Sequence, residues 1–329
     1  MNKTRRLCSP FPLTSHLLIL PIFSRKAPPR AFIYTKSRLS LKTPYPITTQ
    51  TMASNASKLI PSDPDKVMVI RKVTPDILTM STPFLRFGRI SIGGRATIVK
   101  LESGNLALFS PVALTDNLKS EVASMGNGQI KYIVALDQEH HIFLEPWHKA
   151  FLDARVIAPE TLPAYRAKQG YFKIPEASWT LFRKADNPNL SVSEEFDREF
   201  DMEYVSAHAN HEIVFNHKPT KTMIQADLIF NLPATEQMSK SGIPANKGFL
   251  TNFFASLQNT KGDATWQKRF IWYLASASDR KSFNQSAARM AKWDFQRMIP
   301  CHGDVIEGEG KHIYEKVMQW HLNAAKNGK

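Results

Sequence analysis

Histidines and carboxylates collect at four places in this chain of 329 residues. The first is Asp137-Gln138-Glu139-His140-His141. The second holds His208 and His211, the third is Asp227, and the fourth is His302 within Cys301-His302-Gly303. Each follows or closes a short apolar run, so each falls on a loop at the end of a strand, where rigid scaffolds carry their chemistry. Imidazole combined with carboxylate suits a borderline cation such as Zn²⁺ or Fe. A cation held that way acidifies water and polarises a carbonyl or phosphoryl oxygen, which is hydrolytic chemistry. Taken singly, each residue also has an ordinary reading: a strand-end histidine is often a satisfied structural group, and Asp227 could cap a turn.

The elements that must position them can be read from apolar patterning. "KVMVIRKVT" and "ILTMSTPF" (66–74 and 77–84) read as strands. "GGRATIVKL" and "LALFSPV" flank Glu102-Ser103-Gly104-Asn105 and predict a hairpin. Thr115 caps a short helix that Gly126 ends. "QIKYIVAL" predicts a buried strand over 129–136, "EPWHKAFLDA" a helix with Pro146 in its first turn, and "RVIAP" another strand. The second half repeats the plan. "EIVFNH" and "KTMIQADLIFN" form a hairpin about Lys218-Pro219-Thr220. A polar, Gly- and Pro-punctuated insertion covers 233–262, a helical stretch runs from Trp266 to about Gln296, then come the strand before His302 and a closing helix. Two halves, each strands followed by helices, predict a four-layer sandwich with helices outside and two sheets inside.

Composition excludes several classes. Hydrophobic content of 43% with 22% charged residues is that of a globular protein. No apolar run approaches the length of a membrane span. Two cysteines, Cys8 and Cys301, give no disulfide framework and fit a reducing compartment. The net charge of +14 is unevenly spread: residues 1–60 hold ten of the 43 Lys and Arg and no acid, leaving 33 basic against 29 acidic residues, a net of +4. A uniformly basic groove for nucleic acid is therefore not expected. Residues 1–62 read as a basic extension before a single domain over 63–329. Its Arg-, Ser- and Thr-rich, acid-free composition is that of an organellar transit peptide, which would send the chain to mitochondria. Met52 offers a second plausible start, with residues 1–51 then a gene-model extension and the protein cytoplasmic.

The order of the four clusters resembles the metallo-β-lactamase fold superfamily, most closely an uncharacterised branch carrying a domain of unknown function. The residues that bear the resemblance are "EHHIFLEPWHKAFLDARVIAP", "HEIVFNHKPTKTMIQADLIFN" and "IPCHGDVIE", spread over about 66–322. The resemblance implies an α/β fold, the αββα sandwich, and a metal site from His140 or His141, Asp227 and His302, with His208 as a further candidate. The superfamily's first metal motif, His-x-His-x-Asp-His, is incomplete here. With its last histidine set on His140, as the spacing to "FLDARVIAP" favours, Ala135 and Asp137 replace the leading histidines and Glu139 replaces the aspartate; set on His141, the three positions hold Leu136, Gln138 and His140. At most one ion, Zn²⁺ or Fe, is therefore implied, with Asp227 as ligand or as the group that orients water. Two functions follow from the resemblance. One is a metal-dependent hydrolase acting on a small-molecule ester, thioester, amide or phosphodiester. The other is a pseudoenzyme of the same fold that acts by binding.

Other motifs carry less. "QMSKSG" (237–242) reads as a solvated loop. "GRISIGGR" (88–95) lacks the Gly-Lys-Ser/Thr that grips phosphate. "SEEFDREFDMEY" (193–204) reads as an exposed acidic face without calcium-loop spacing. Glu212 and His217 are read as structural. Trp266, Trp272 and Trp293 are expected in the core or between helices.

Overall fold

Alternation along the strands builds two sheets and gives each face its own partner. The computed structural model describes residues 63–328. The two readings of the extension, and Cys8, lie outside the described residues. The first sheet has the order β1-β2-β5-β6-β7-β8-β9, from β1 (Val69–Thr74), β2 (Ile77–Thr82), β5 (Gly94–Lys100), β6 (Leu106–Phe109), β7 (Ile130–Val134), β8 (Arg155–Pro159) and β9 (Trp179–Phe182). Its β1 to β6 side is antiparallel, and β6 to β9 run parallel. The second sheet has the order β10 (Phe200–Val205), β11 (Glu212–His217), β12 (Thr222–Ile224) and β13 (Arg297–Ile299), with only β12 and β13 parallel. A small hairpin pairs β3 (Leu85–Arg86) with β4 (Ile90–Ser91).

Neighbouring residues on one strand enter different cores, as the period of two requires. Leu78, Ile98, Leu106, Leu108, Ile133 and Val156 face outward onto the helices Asp116–Ser124, Leu144–Ala150 and Leu162–Lys168, through Leu118, Trp147 and Leu162. Ile77, Val99, Ala107, Phe109, Val134 and Ile157 face inward and meet Ile213, Phe215, Ile224 and Ile299 of the second sheet. On that sheet's outer face, Val214, Met223 and Met298 meet Phe283, Met290, Tyr314 and Val317 of the helices Arg280–Met290 and Gly310–Val317. Three apolar interfaces between four layers form the predicted αββα sandwich.

Both predicted hairpins are present, and Thr115 caps its helix by accepting the Leu118 N–H at 3.2 Å. Several details differ from the sequence reading. The acidic run 193–204 is not one exposed face. Ser193 caps the helix Glu194–Glu199, the chain passes into β10, and Phe196, Phe200, Glu203 and Tyr204 are buried. The helical stretch 266–296 is broken into Thr265–Phe270, a π-turn over Ile271–Ala275 and Arg280–Met290. Trp266 is 55% exposed rather than core, its ring covered only by the Arg269 guanidinium at 4.7 Å. In "QMSKSG", Gln237 and Met238 are buried.

Strand direction gathers the candidate residues. His140, Asp227 and His302 follow the C-terminal ends of β7, β12 and β13 respectively. The ladder extends past the strands: the Gln225 N–H donates to Ile299 O (3.1 Å) and the Cys301 N–H to Ala226 O (3.3 Å). Asp227 and His302 therefore leave adjacent parallel segments at the same end. In α/β sheets that end is where ligands bind.

Candidate metal centre

Each of the three side chains is fixed by its own loop. Asp137, fully buried, accepts through Oδ1 the N–H groups of Glu139 and His140, both at 2.8 Å, and Nδ1 of His140 at 2.8 Å. One carboxylate oxygen thus makes the turn and orients the ring. Asp227 is held from below by Glu212, whose carboxylate accepts the N–H groups of Ala226 (2.7 Å) and Asp227 (3.0 Å). Asn210 Nδ2 donates to Asp227 Oδ2 at 2.7 Å. His302 donates from Nδ1 to the carbonyl of Gly93 at 2.6 Å and lies against Phe230, ring centroids 4.9 Å apart.

The turn that carries His302 is clamped from both sides. Buried Arg95 donates from Nη1 to Pro300 O (2.7 Å) and Gly303 O (2.6 Å). Gln237 donates to Cys301 O (2.7 Å) and accepts the Gly303 N–H (2.9 Å). Gly303 has φ +92°, and a Cβ there would stand 2.1 Å from Asn231 O, so this turn admits only glycine.

The tautomers follow from the partners. A carbonyl oxygen only accepts, so His302 carries its proton on Nδ1 and a lone pair on Nε2. The Asp137 carboxylate fixes His140 the same way. The two Nε2 atoms stand 3.2 Å apart, and Asp227 Oδ1 lies 3.2 Å from that of His302. That oxygen is buried and, among the described residues, has no partner that meets hydrogen-bond geometry. Three acceptors therefore converge, all within 4.8 Å of one another. Two donors about 2.0 Å from one ion at a tetrahedral angle lie roughly 3.3 Å apart. The spacing and the second ring nitrogens, each tied to a carboxylate or carbonyl, fit a single cation.

Charge and burial act together here. Burial alone would lower the basicity of His140, but Asp137 and Asp227 outweigh it and hold the ring well above the ordinary imidazole value, so a cation binding at its Nε2 would have to displace a proton from that atom. Burial would raise Asp227, but His140, His302 and His208 keep it well below the usual carboxylate range. Glu212 is pushed well up by burial and by the charges of Asp137 and Asp227. Burial raises the Cys301 thiol to about 11, which removes it as a nucleophile at neutral pH.

A cavity of about 320 Å³ opens onto His140, Asp227 and His302. Its walls are mostly apolar, including Phe84, Phe143 and Val112, with Arg86, Arg95 and Glu139 as further charged members. The size and lining are those of a small-molecule site.

With this geometry the chain can be compared with known proteins. Residues 85–243 match the family described as Domain of unknown function (DUF4336). No curated protein matches the sequence. The metallo-β-lactamase from Pontibacter korlensis is 12% identical, with 78% of this chain and 99% of that one covered at a TM-score of 0.49. A mutant of the flavo di-iron protein from Thermotoga maritima is 14% identical, covering 77% of this chain and 62% of that one at 0.49. TMB-1, a structure concerned with substrate and inhibitor binding, is 10% identical, covering 78% of this chain and 98% of that one at a TM-score of 0.50. The chain has the metallo-β-lactamase fold.

Within the metallo-β-lactamase fold, the positions that differ from the superfamily motif are occupied in other ways. Ala135 is packed in the outer core of the first sheet, and Asp137 is turned into its own loop. His141, adjacent to His140, faces the other way. It accepts from Arg166 Nη1 at Nδ1 (3.1 Å) and lies between the rings of Tyr165 and Tyr171. Burial and the Arg166 charge lower it to about 4. His208 is buried beside Phe283, and its Nδ1 accepts the Asn210 N–H at 3.3 Å. Among the described residues, the ligand-distance cluster contains neither of them. Glu212 and His217 are structural as expected: Glu212 supports Asp227, and His217 faces Glu199 (3.3 Å) and Thr220 (2.8 Å).

Four supporting groups escaped the sequence reading. Asp137 has a local signal, because an aspartate binding the N–H two and three residues on is turn chemistry. Gly93 has a weaker one, since paired glycines permit close backbone approach. Arg95 and Gln237 reach the His302 turn from 208 and 64 residues away, and no local pattern marks them.

Proposed function

We propose that this metallo-β-lactamase-fold protein is a hydrolase that works with one cation held by His140, Asp227 and His302. The observation that carries this reading is the convergence of three ligand atoms within 4.8 Å of one another, His302 Nε2 standing 3.2 Å from each of the other two, with the far side of each imidazole ring fixed by an acceptor. Two histidines and a carboxylate suit Zn²⁺ or Fe(II) and leave coordination positions open. When bound, the cation supplies a Lewis acid that polarises a carbonyl or phosphoryl oxygen and acidifies water. The protein's own residues do the rest. Asp137 and Gly93 keep the two Nε2 lone pairs aimed inward, Asn210 and Glu212 hold Asp227, and the Phe84 and Phe143 walls thin the water around the reacting bond. Substrates are a small ester, thioester, amide or phosphodiester.

The test is metal uptake by the full chain, followed by a substrate panel. We expect about one equivalent of Zn²⁺ or Fe, lost in Asp227→Ala and His302→Ala and kept in His312→Ala, whose histidine is exposed. Equal uptake by all four proteins would sink the proposal. A second reading is a pseudoenzyme that binds without hydrolysing. It is favoured by Ala135 and Asp137, which stand where the superfamily motif places imidazoles and are committed to the core and to a turn. Stoichiometric metal with no turnover across the panel would select it.

A further inference from the structure

A second cavity, about 920 Å³, lies along the edge strand β9 and shares no residue with the cavity over His302. Its charged lining is four cations, Arg155, Arg166, Lys173 and Arg183, against two acids, Glu176 and Asp186. The acids reach Lys173 and Arg183 only loosely, each pair 3.9 Å apart and well exposed. Arg155 gives one bond, to Val192 O at 2.9 Å.

Arg166 is the unusual member. It is 2% exposed, yet among the described residues no carboxylate stands within 4.0 Å of it. Its Nη1 donates to the Nδ1 (3.1 Å) and carbonyl (2.7 Å) of His141, and its Nη2 to Phe172 O at 3.3 Å. Those bonds account for three of the five guanidinium N–H groups. Burial penalises its charge, and the Tyr171 ring, 5.0 Å from its guanidinium carbon, and the Glu145 carboxylate offset that only in part. A buried cation without a directly paired carboxylate is costly, so its place on the wall of a cationic cleft favours an anion there. The same cleft presents flat apolar surface. Trp179 is pinned through Nε1 to Ile174 O (3.3 Å), and Phe172 is 43% exposed.

We propose that this cleft binds a small planar aromatic anion, its ring against Trp179 and Phe172 and its phosphate or carboxylate against Arg166 and Arg183. Guanidinium groups pair with both anions through parallel N–H bonds, and a fixed indole offers a stacking face. The site is separate from the metal centre and does not depend on the metal reading.

The experiment titrates the full chain with AMP and with 2-naphthoate, using adenosine, 2-naphthol and inorganic phosphate as part-ligands, by calorimetry and tryptophan fluorescence. AMP represents a phosphate source and 2-naphthoate a carboxylate source. We expect one of the two anions to bind at least about tenfold more tightly than its neutral counterpart. Its affinity should fall about tenfold in Arg183→Ala and in Arg155→Ala and should weaken with salt. The fluorescence response should vanish in Trp179→Phe, and binding should persist in His302→Ala. Arg166→Met should abolish binding. If that variant fails to fold, the two exposed arginines carry the test. Failure of both anions to bind, equal binding of a neutral counterpart, unchanged affinity in both exposed-arginine variants, or loss in His302→Ala would each overturn the proposal.

Discussion

The Nδ1–H of His302 donates to the carbonyl of Gly93 at 2.6 Å, joining positions 209 residues apart in the chain. This bond sets the tautomer and the aim of the last ring in the cluster. Gly93 itself has φ +67°, and a Cβ on it would fall 2.3 Å from Gln237 Oε1, the atom that accepts the Gly303 N–H. The acceptor for His302 and the clamp on its turn therefore depend on the same missing side chain. Gly93→Ala should cost about 1–3 kcal/mol of folding stability and weaken metal binding as well. Urea unfolding and a chelator competition check the two effects, and a variant that matched the parent in both would show that neither dependence exists.

Asp137→Asn separates orientation from turn formation. The amide oxygen can still accept the N–H groups of Glu139 and His140, now at 2.8 Å from Oδ1, so the loop should keep its shape. What is lost is the charge opposite Nδ1 of His140. Groups placed this way behind a metal-bound imidazole change affinity by about 10–100-fold when removed. The expected result is a metal dissociation constant raised within that range with little change in unfolding midpoint. An unaltered constant would make Asp137 a turn residue and no more.

Much of this arrangement was legible before any coordinates. Apolar alternation in "LALF" and "IKYIV" assigns Leu108 and Ile133 to one core and Phe109 and Val134 to another, so the layers follow from local periodicity. His140, Asp227 and His302 were all legible because each ends an apolar run. Which member of His140-His141 turns inward was not. Neighbouring residues on a tight turn point apart, and the choice is made by Asp137 on one side and Arg166 on the other. His208 lies outside the ligand-distance cluster for a similar reason: its Nδ1 accepts the Asn210 N–H and its ring stands beside Phe283. The run 193–204 was misread because Glu199 and Glu203 are acids that are buried and paired, with His217 and Arg289, and composition alone reports acids as surface.

Arg95, on the wall of the cavity, should behave as a structural cation that holds the His302 turn. It donates to Ser81 Oγ (3.0 Å) and to two carbonyls on either side of His302, and it stands 3.4 Å from Glu236. Replacing it with methionine leaves Pro300 O and Gly303 O without this donor. Glu236 keeps Arg71 at 2.6 Å and Ser81 at 2.7 Å, so its charge is not orphaned. The cost should be about 2–4 kcal/mol, below that of stripping a buried ion pair of its only partner. Denaturant unfolding measures it, and a cost under half of the lower figure would show that the clamp rests on Gln237 alone.

Acid sensitivity should trace in part to His321, on the closing helix Gln319–Lys326 and outside the candidate metal centre. The ring is buried between Phe283 and Trp272, donates from Nδ1 to Asn284 Oδ1 at 2.6 Å, and among the described residues has no acceptor for a proton on Nε2. Burial, helped by the Arg280 charge, lowers it from 6.5 to about 3. The unfolded chain therefore takes up the proton first. The contribution to stability is complete above pH 6.5 and drains away as pH falls from there toward 3. Between pH 7 and pH 5 the folded state should lose about 2 kcal/mol on this account. His321→Phe cannot take up that proton, so whatever its absolute stability, its loss across the same interval should be smaller by about that amount. Urea unfolding of both proteins at the two pH values reads the difference directly. Parallel losses would assign the acid response to other groups and place His321 in contact with water after all.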